Sequence, residues 1–241
     1  MESIKELRKC PYCGKEYKNF KMGIVNTLVP VCDCEEKAYQ AEQERKIKIA
    51  KEEAKRKKLE RLFVNSMMSP FFKEKTFESL DINSNLIICK KYANDFIPQI
   101  SDGIQMIGNV GTGKTTLLAA ICNELMEKGY NCLFTTLSSL LDKFSSFSYE
   151  HSGNITPLLD WIAKFDFVVL DDIGREAYTA KRKEAVFRII DTLLNHKVVT
   201  AFTANPEMIE KLKQIPEFTA ALDRLKGMCK MQLEFRGNSL R

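Results

Sequence analysis

The stretch that most constrains this chain is Gly108-Asn109-Val110-Gly111-Thr112-Gly113-Lys114-Thr115. It follows the apolar run Ile104-Gln105-Met106-Ile107 and opens into Thr116-Leu117-Leu118-Ala119-Ala120-Ile121. Strand, glycine-rich turn and helix, in that order, are the context a phosphate-binding P-loop requires. Glycines let the backbone curl until successive N–H groups point inward, and the helix that follows aims its positive end at the same place. Gly108, Asn109, Val110, Gly111, Thr112, Gly113, Lys114, Thr115 and Thr116 are thus the expected nucleotide cradle. Lys114 would reach the β- and γ-phosphates, and the Thr115 hydroxyl would hold Mg²⁺. A chance match arises in a chain of this length on the order of one per cent of the time, so nucleotide binding outweighs a coincidental glycine turn.

A second stretch fits the first. Phe165-Asp166-Phe167-Val168-Val169-Leu170-Asp171-Asp172-Ile173-Gly174 is an apolar run without alternation, the mark of a strand covered on both faces in a parallel sheet. Two carboxylates end it. Asp171 would hold Mg²⁺ opposite Thr115, and Asp172 would orient or deprotonate the attacking water; the plain alternative is a pair of loop acids capping the next segment. A third run, Lys197-Val198-Val199-Thr200-Ala201-Phe202-Thr203-Ala204-Asn205, reads as another buried strand, and Pro206 begins the next helix. In a doubly wound sheet its end lies beside that of the Asp171 strand, where Asn205 would bond the γ-phosphate or the water. Further helices are expected over 85–97, around 137–144 and over about 182–195, with strands over 131–136 and 228–235. Nothing after that last strand is expected to form a helical lid.

The beginning of the chain carries a different chemistry. Cys10-Pro11-Tyr12-Cys13, followed by Gly14, and Cys32-Asp33-Cys34 stand with eighteen residues between Cys13 and Cys32. Two close cysteine pairs at such a distance supply four thiolates for tetrahedral Zn²⁺, and a closed site of this kind is structural. The residues between them read as a small hairpin. A redox dithiol would sit at a helix start inside a βαβ pattern, which is missing here. Cys89, Cys122, Cys132 and Cys229 stand alone among apolar neighbours and read as buried side chains. There is no membrane-length apolar run and no secretion signal at the start, so a cytoplasmic protein with unpaired cysteines is expected. A formal charge of +5 permits a nucleic-acid partner without arguing for one.

Residues 35–61 contain neither proline nor glycine and carry ten Lys or Arg against seven Glu. Such a composition makes one long charged helix, a solvated spacer or a phosphate-touching arm. The expected organisation is a zinc-binding head over 1–35, a charged helical linker over 36–65 and a nucleotide domain over 66–241.

Taken together, these motifs resemble the AAA+ ATPases of the DnaC/DnaI/IstB-like group, the replicative helicase loaders and transposition helper ATPases. The likeness rests on the Walker A stretch 108–115, the Walker B stretch 168–174 and Thr203-Ala204-Asn205 as sensor 1. It is extended by the lead-in Lys75-Thr76-Phe77-Glu78, the terminal Gly237-x-Ser239-x-Arg241 and the cysteine-rich head followed by a charged helix. The resemblance implies an α/β parallel-sheet P-loop NTPase with a RecA-like AAA+ core and no C-terminal lid. It implies a slow ATPase that delivers a hexameric, DnaB-type replicative helicase onto single-stranded DNA, with the head gripping the helicase and with self-association. Asp172 stands where most AAA+ proteins have Glu. The group's arginine finger precedes an Asp-Arg pair, but here Thr219, Ala220 and Ala221 occupy those positions ahead of Asp223-Arg224, leaving Arg224 as the substitute. Arg224 and Arg241 are accordingly carried as catalytic candidates. Two other readings are a transposition helper that coats duplex DNA and an ATP-switched adaptor with little hydrolysis. Phe144, Phe147 and Tyr149 are the aromatic candidates for stacking on bases, with core packing as the alternative.

Overall fold

The computed structural model describes residues 9–23, 25–174 and 179–236. The chain divides into two compact units, one up to Lys57 and one from Lys58 onward.

The first unit is built on a turn and a hairpin. The Cys10 N–H donates to the Lys15 carbonyl at 2.9 Å, and Gly14 takes a left-handed φ of +71° that closes the turn. Strands β1 (Lys18–Met22) and β2 (Val25–Val29) pair antiparallel, with Lys18 opposite Val29 and Phe20 opposite Thr27. The 32-residue helix α1 (Cys34–Asn65) starts at the fourth cysteine of the chain, and none of its residues is buried. Its composition supports it locally, with ion pairs such as Lys46–Glu42 at 3.7 Å one turn apart. Its end belongs to the second unit, where Leu59, Leu62 and Phe63 pack on the core.

The second unit is a five-stranded sheet with helices on both faces. It opens with the single turn α2 (Pro70–Lys73) and a 3₁₀ turn, Phe77–Ser79, closed by a capping box from Thr76. Helix α3 (Ser84–Asp95) is capped by Asn83, whose side chain accepts from the Leu86 N–H at 2.9 Å. Then come β3 (Ile104–Gly108), α4 (Lys114–Glu127), β4 (Cys132–Thr136), α5 (Leu137–Glu150), α6 (Thr156–Ile162) and β5 (Phe167–Ile173). The unit finishes with α7 (Ala180–Asn195), β6 (Val199–Ala204), α8 (Pro206–Lys213), α9 (Pro216–Met228) and β7 (Met231–Phe235).

The strand order is β4-β5-β6-β3-β7, and every adjacent pair is parallel. One strand, β6, therefore separates the strand before the glycine-rich loop from the strand that ends in Asp171-Asp172. Residues of α3 and α4 fill one side of the sheet, with Leu118, Ile121 and Leu125 fully buried. Residues of α5 to α9 fill the other, around Leu140, Phe144, Ile189 and Leu222. Cover on both faces is why β5 reaches Asp171 as an unbroken apolar run and why β6 is buried along its whole length. Cys89, Cys122, Cys132 and Cys229 all lie in this interior, each 0% exposed.

Four helices exceed the expectation. Helix α5 runs two turns past 144, and α2, α6 and α9 fill stretches with no assigned structure. Serines lower local helix propensity in α5, yet Leu137, Leu140, Leu141 and Phe144 form one buried stripe that packing rewards.

Candidate nucleotide and metal sites

The loop between β3 and α4 has the geometry of an anion cradle. Gly111 and Gly113 sit at φ +81° and +88°, values that L side chains resist. Gly113 is the N-cap of the 14-residue α4 and supplies no side-chain cap, so the first N–H groups of the helix face the loop. The Lys114 ammonium donates to the Gly108 and Asn109 carbonyls at 2.8 and 2.6 Å, which folds the side chain back over the loop. Gly108 has no room for a side chain, since a Cβ there would fall 2.3 Å from the Phe235 carbonyl oxygen. Backbone donors, a lysine and left-handed glycines fit a nucleoside polyphosphate.

The acidic end of β5 closes on this loop. The Thr115 hydroxyl donates to Asp171 Oδ1 at 3.0 Å, and the Thr203 hydroxyl donates to the same oxygen at 2.7 Å. Thr203 Oγ1 also accepts from the Asp172 N–H at 2.8 Å. Asp171 is 7% exposed, and that burial pushes its carboxyl above the ordinary aspartate range, while the Thr203 and Thr115 hydroxyls pull it back. The β5–β6 register shifts between Leu170 and Ile173, and Asp172 adopts a φ of +58°. A bulge of this kind re-aims side chains at a sheet edge. Thr115 with Asp171 is a donor set that suits a hard divalent cation.

The other anticipated residues are placed as follows. Asn205 caps α8, its side-chain oxygen accepting from the Glu207 N–H at 3.1 Å. Arg224 pairs with Asp191 of α7, and its guanidinium lies 5.9 Å from the Phe187 ring centre. Arg241, with Gly237 and Ser239, falls outside the described residues. Phe144 is 1% exposed in the core and offers no face to a base. Phe147 stacks on His151 at 3.8 Å, whereas Tyr149 is 92% exposed beside a cavity of about 590 Å³ that Lys181 and Arg188 help to line. The residue that sequence reasoning underused is Thr203. In the sequence it stands only as part of the sensor stretch, and its link to Asp171 spans 32 positions, although a threonine near the end of a fully buried strand is a usable signal.

In the first unit the ligand atoms of Cys10, Cys13, Cys32 and Cys34 all lie within 4.8 Å of one another. Cys13 and Cys32 are 3.5 Å apart. The Lys15 backbone N–H, with Cys32 second, lowers the Cys13 thiol to about 7, and the thiols of Cys13 and Cys32 push Cys34 up to about 12. Four sulfurs converging on one point fit Zn²⁺.

Comparison with known proteins bears on the fold and the family. A replicative helicase loader DnaC of Escherichia coli (strain K12) is 28% identical over 175 residues, covering 70% of this chain and 70% of that protein. A crystal structure of the DnaC helicase loader superposes with a TM-score of 0.60 at 19% identity, over 70% of this chain and 100% of that one. A crystal structure of DnaI gives 0.59 at 23% identity, over 73% and 95%. Among the described residues no helix is long and apolar enough to cross a membrane. The family described as IstB-like ATP binding protein matches residues 28–241, and the chain belongs to that family.

Proposed function

We propose that this protein is a cytoplasmic, ATP-dependent loader of a hexameric replicative helicase onto single-stranded DNA. The observation that carries the reading is the convergence of Lys114, Thr115 and Asp171 on one loop, in a chain whose relatives include a named replicative helicase loader. ATP sits on the 108–116 loop, its phosphates on the α4 N–H groups and the Lys114 ammonium. Thr115 and Asp171 would hold Mg²⁺, which would supply positive charge against the phosphates. Asp172 positions the water. Asn205, at the end of the strand between the two motifs, adjoins the same edge, and its cap on α8 ties any movement there to that helix.

Turnover is slow in the isolated chain, because Asp172 is one methylene shorter than glutamate and Arg224 is engaged by Asp191. A cation reaching the site from a neighbouring subunit would raise the rate, which is the reason to expect self-association. Arg241 belongs to the same catalytic set by resemblance alone.

The head over 1–35 is the helicase grip, with Zn²⁺ on its four cysteines replacing the core that so short a segment lacks. Tyr12, Phe20, Leu28 and Val31 of that unit are exposed and supply apolar contact area. The part of the 36–65 helix up to Lys57 joins grip and motor, and its end is anchored in the motor through Leu59, Leu62 and Phe63. Tyr149 is the reading for single-stranded DNA, one exposed ring beside a cleft that Lys181, Glu184 and Arg188 line.

The test is co-purification of the tagged chain with the replicative helicase of its host, with and without ATP, followed by helicase loading on a single-stranded circle. ATP-dependent capture and loading that Lys114→Ala abolishes is the expected result. Capture of a transposase instead would move the assignment to a transposition helper. Loading without phosphate release would leave an ATP-switched adaptor.

A further inference from the structure

Of the described residues assigned to the nucleotide site, Asp172 is the one other than glycine with a left-handed backbone, at φ +58°. L residues enter that region at a cost, aspartate more readily than most. Such a conformation persists where the surroundings hold it against its own preference. Two contacts hold it here, and both come from the junction of β6 with α8. Ahead of the turn, Thr203 Oγ1 accepts the Asp172 N–H at 2.8 Å. Behind it, Gly174 stands at φ +108° against Met208 of α8, where a Cβ on the glycine would fall 2.6 Å from Met208 Cβ and 3.4 Å from its Cγ. Asn205 lies between Thr203 and Met208 and caps the helix through the Glu207 N–H, so the junction that carries both contacts is itself fixed.

The two acids are therefore held differently. Asp171 is fixed by its own side chain, whose Oδ1 accepts from Thr115 and Thr203. Asp172 is aimed through its backbone, past the register shift between Leu170 and Ile173. A bulged strand end re-aims a side chain only as well as the chain on either side of it is seated. Half-buried Met208 supplies that seat for Gly174.

We propose that Met208 is a positioning residue for hydrolysis: its brace on Gly174 holds the left-handed turn that aims the Asp172 carboxylate at the attacking water. The inference rests on the nucleotide reading above and adds a residue of α8 that none of the sequence motifs contains. In the step it serves, the water oxygen bonds the γ-phosphorus as the bond to the β–γ bridging oxygen breaks. ADP and phosphate leave, and the water's proton passes by way of Asp172 to solvent. A branch at the Met208 Cβ crowds Gly174, and the displacement is taken up at 172, where the backbone is already held against its preference.

Single-turnover hydrolysis and equilibrium ATP affinity, measured on the full chain with Mg²⁺ present, test it. The proteins are wild type, M208V, M208A, M208L, D172N, D172N/M208V, D172N/M208A and K114A. M208V is expected to slow hydrolysis about tenfold, since misplacement by about 1 Å costs about a hundredfold, with ATP affinity within about twofold of wild type. M208L keeps an unbranched Cβ and is expected to hydrolyse as wild type does. M208A loosens the brace without crowding it, and is expected to slow hydrolysis less than M208V; it carries the test should M208V fail to fold. In D172N neither change is expected to lower the rate further, because the group they act through is gone. Slowing of D172N by the same factor as wild type, or loss of ATP affinity in step with the rate, would mean a structural role and overturn the proposal. Wild-type rates in the folded Met208 variants would overturn it as well. If K114A binds ATP as wild type does, the nucleotide reading itself falls. If K114A loses ATP while the Met208 variants hydrolyse normally, only this inference falls.

Discussion

Thr203 is the most informative position to change, because one buried hydroxyl serves both acids of the pair. It donates to Asp171 Oδ1 at 2.7 Å and accepts from the Asp172 N–H at 2.8 Å, and the residue is 2% exposed. Thr203→Val keeps the shape and removes both bonds. A bond to a charged group contributes about 1.5–3 kcal/mol and a neutral one about 0.5–1.5 kcal/mol, so a loss of about 3 kcal/mol is expected. Thr203→Ser keeps the hydroxyl and loses a methyl, at about 1 kcal/mol. For a domain of this size a loss of about 3 kcal/mol corresponds to a melting shift of about 6–12 °C. Burial holds the folded-state pKa of Asp171 above its unfolded value. The native protein therefore binds more protons in that window, and stability falls as pH rises from the ordinary aspartate value through the raised one. Valine at 203 lifts the folded pKa further. Its carboxylate share of the cost should be absent well below the ordinary range, grow through the window and be complete above it. Urea unfolding of wild type and both variants at several pH values reads this out directly. Equal destabilisation by valine and serine at every pH would refute the role assigned to the hydroxyl.

Chelation should release one Zn²⁺ per chain and unravel the first unit while the second still melts near its original temperature; Cys13→Ser should do the same, measured by metal analysis and circular dichroism. Gly108→Ala should lower the melting temperature and weaken ATP together, because its Cβ would fall 2.3 Å from the Phe235 carbonyl oxygen. Tyr149→Ala should weaken single-stranded DNA by about 1–3 kcal/mol in an anisotropy titration. Phe144→Ala should instead cost about 3–5 kcal/mol of stability through a core cavity.

The parts of the molecule legible in the sequence are those whose cause is local. Gly111 and Gly113 occur where the backbone turns left-handed, so their spacing carries the loop. The run into Asp171 lacks alternation because β5 is covered on both faces. The cysteine pairs are brought together by a turn and a hairpin within a few residues of each. Nonlocal causes were not legible. The packing of Arg224 on α7 depends on Asp191, 33 positions away, and that of Gly108 on a strand near the end of the chain. Asn205 suits phosphate chemistry by its place at a strand end, and its position just ahead of Pro206 also makes it a helix cap.

The strand order explains why the two motifs can cooperate across a gap. With β6 between β3 and β5, Asp171 meets α4 through Thr115 while Thr203 reaches it from the intervening strand. The carboxylate is thus removed from water but surrounded chiefly by neutral hydroxyls, and among the influences on its pKa the Lys114 charge ranks below them. Hydroxyls orient a charge without cancelling it, so the desolvation cost is only partly offset. A divalent cation cancels it. The same burial that raises the Asp171 pKa therefore favours Mg²⁺, and metal binding should release protons increasingly as pH falls toward that raised pKa. A Mg²⁺ affinity that does not weaken with acidification through that range would contradict this account of why Asp171 is buried.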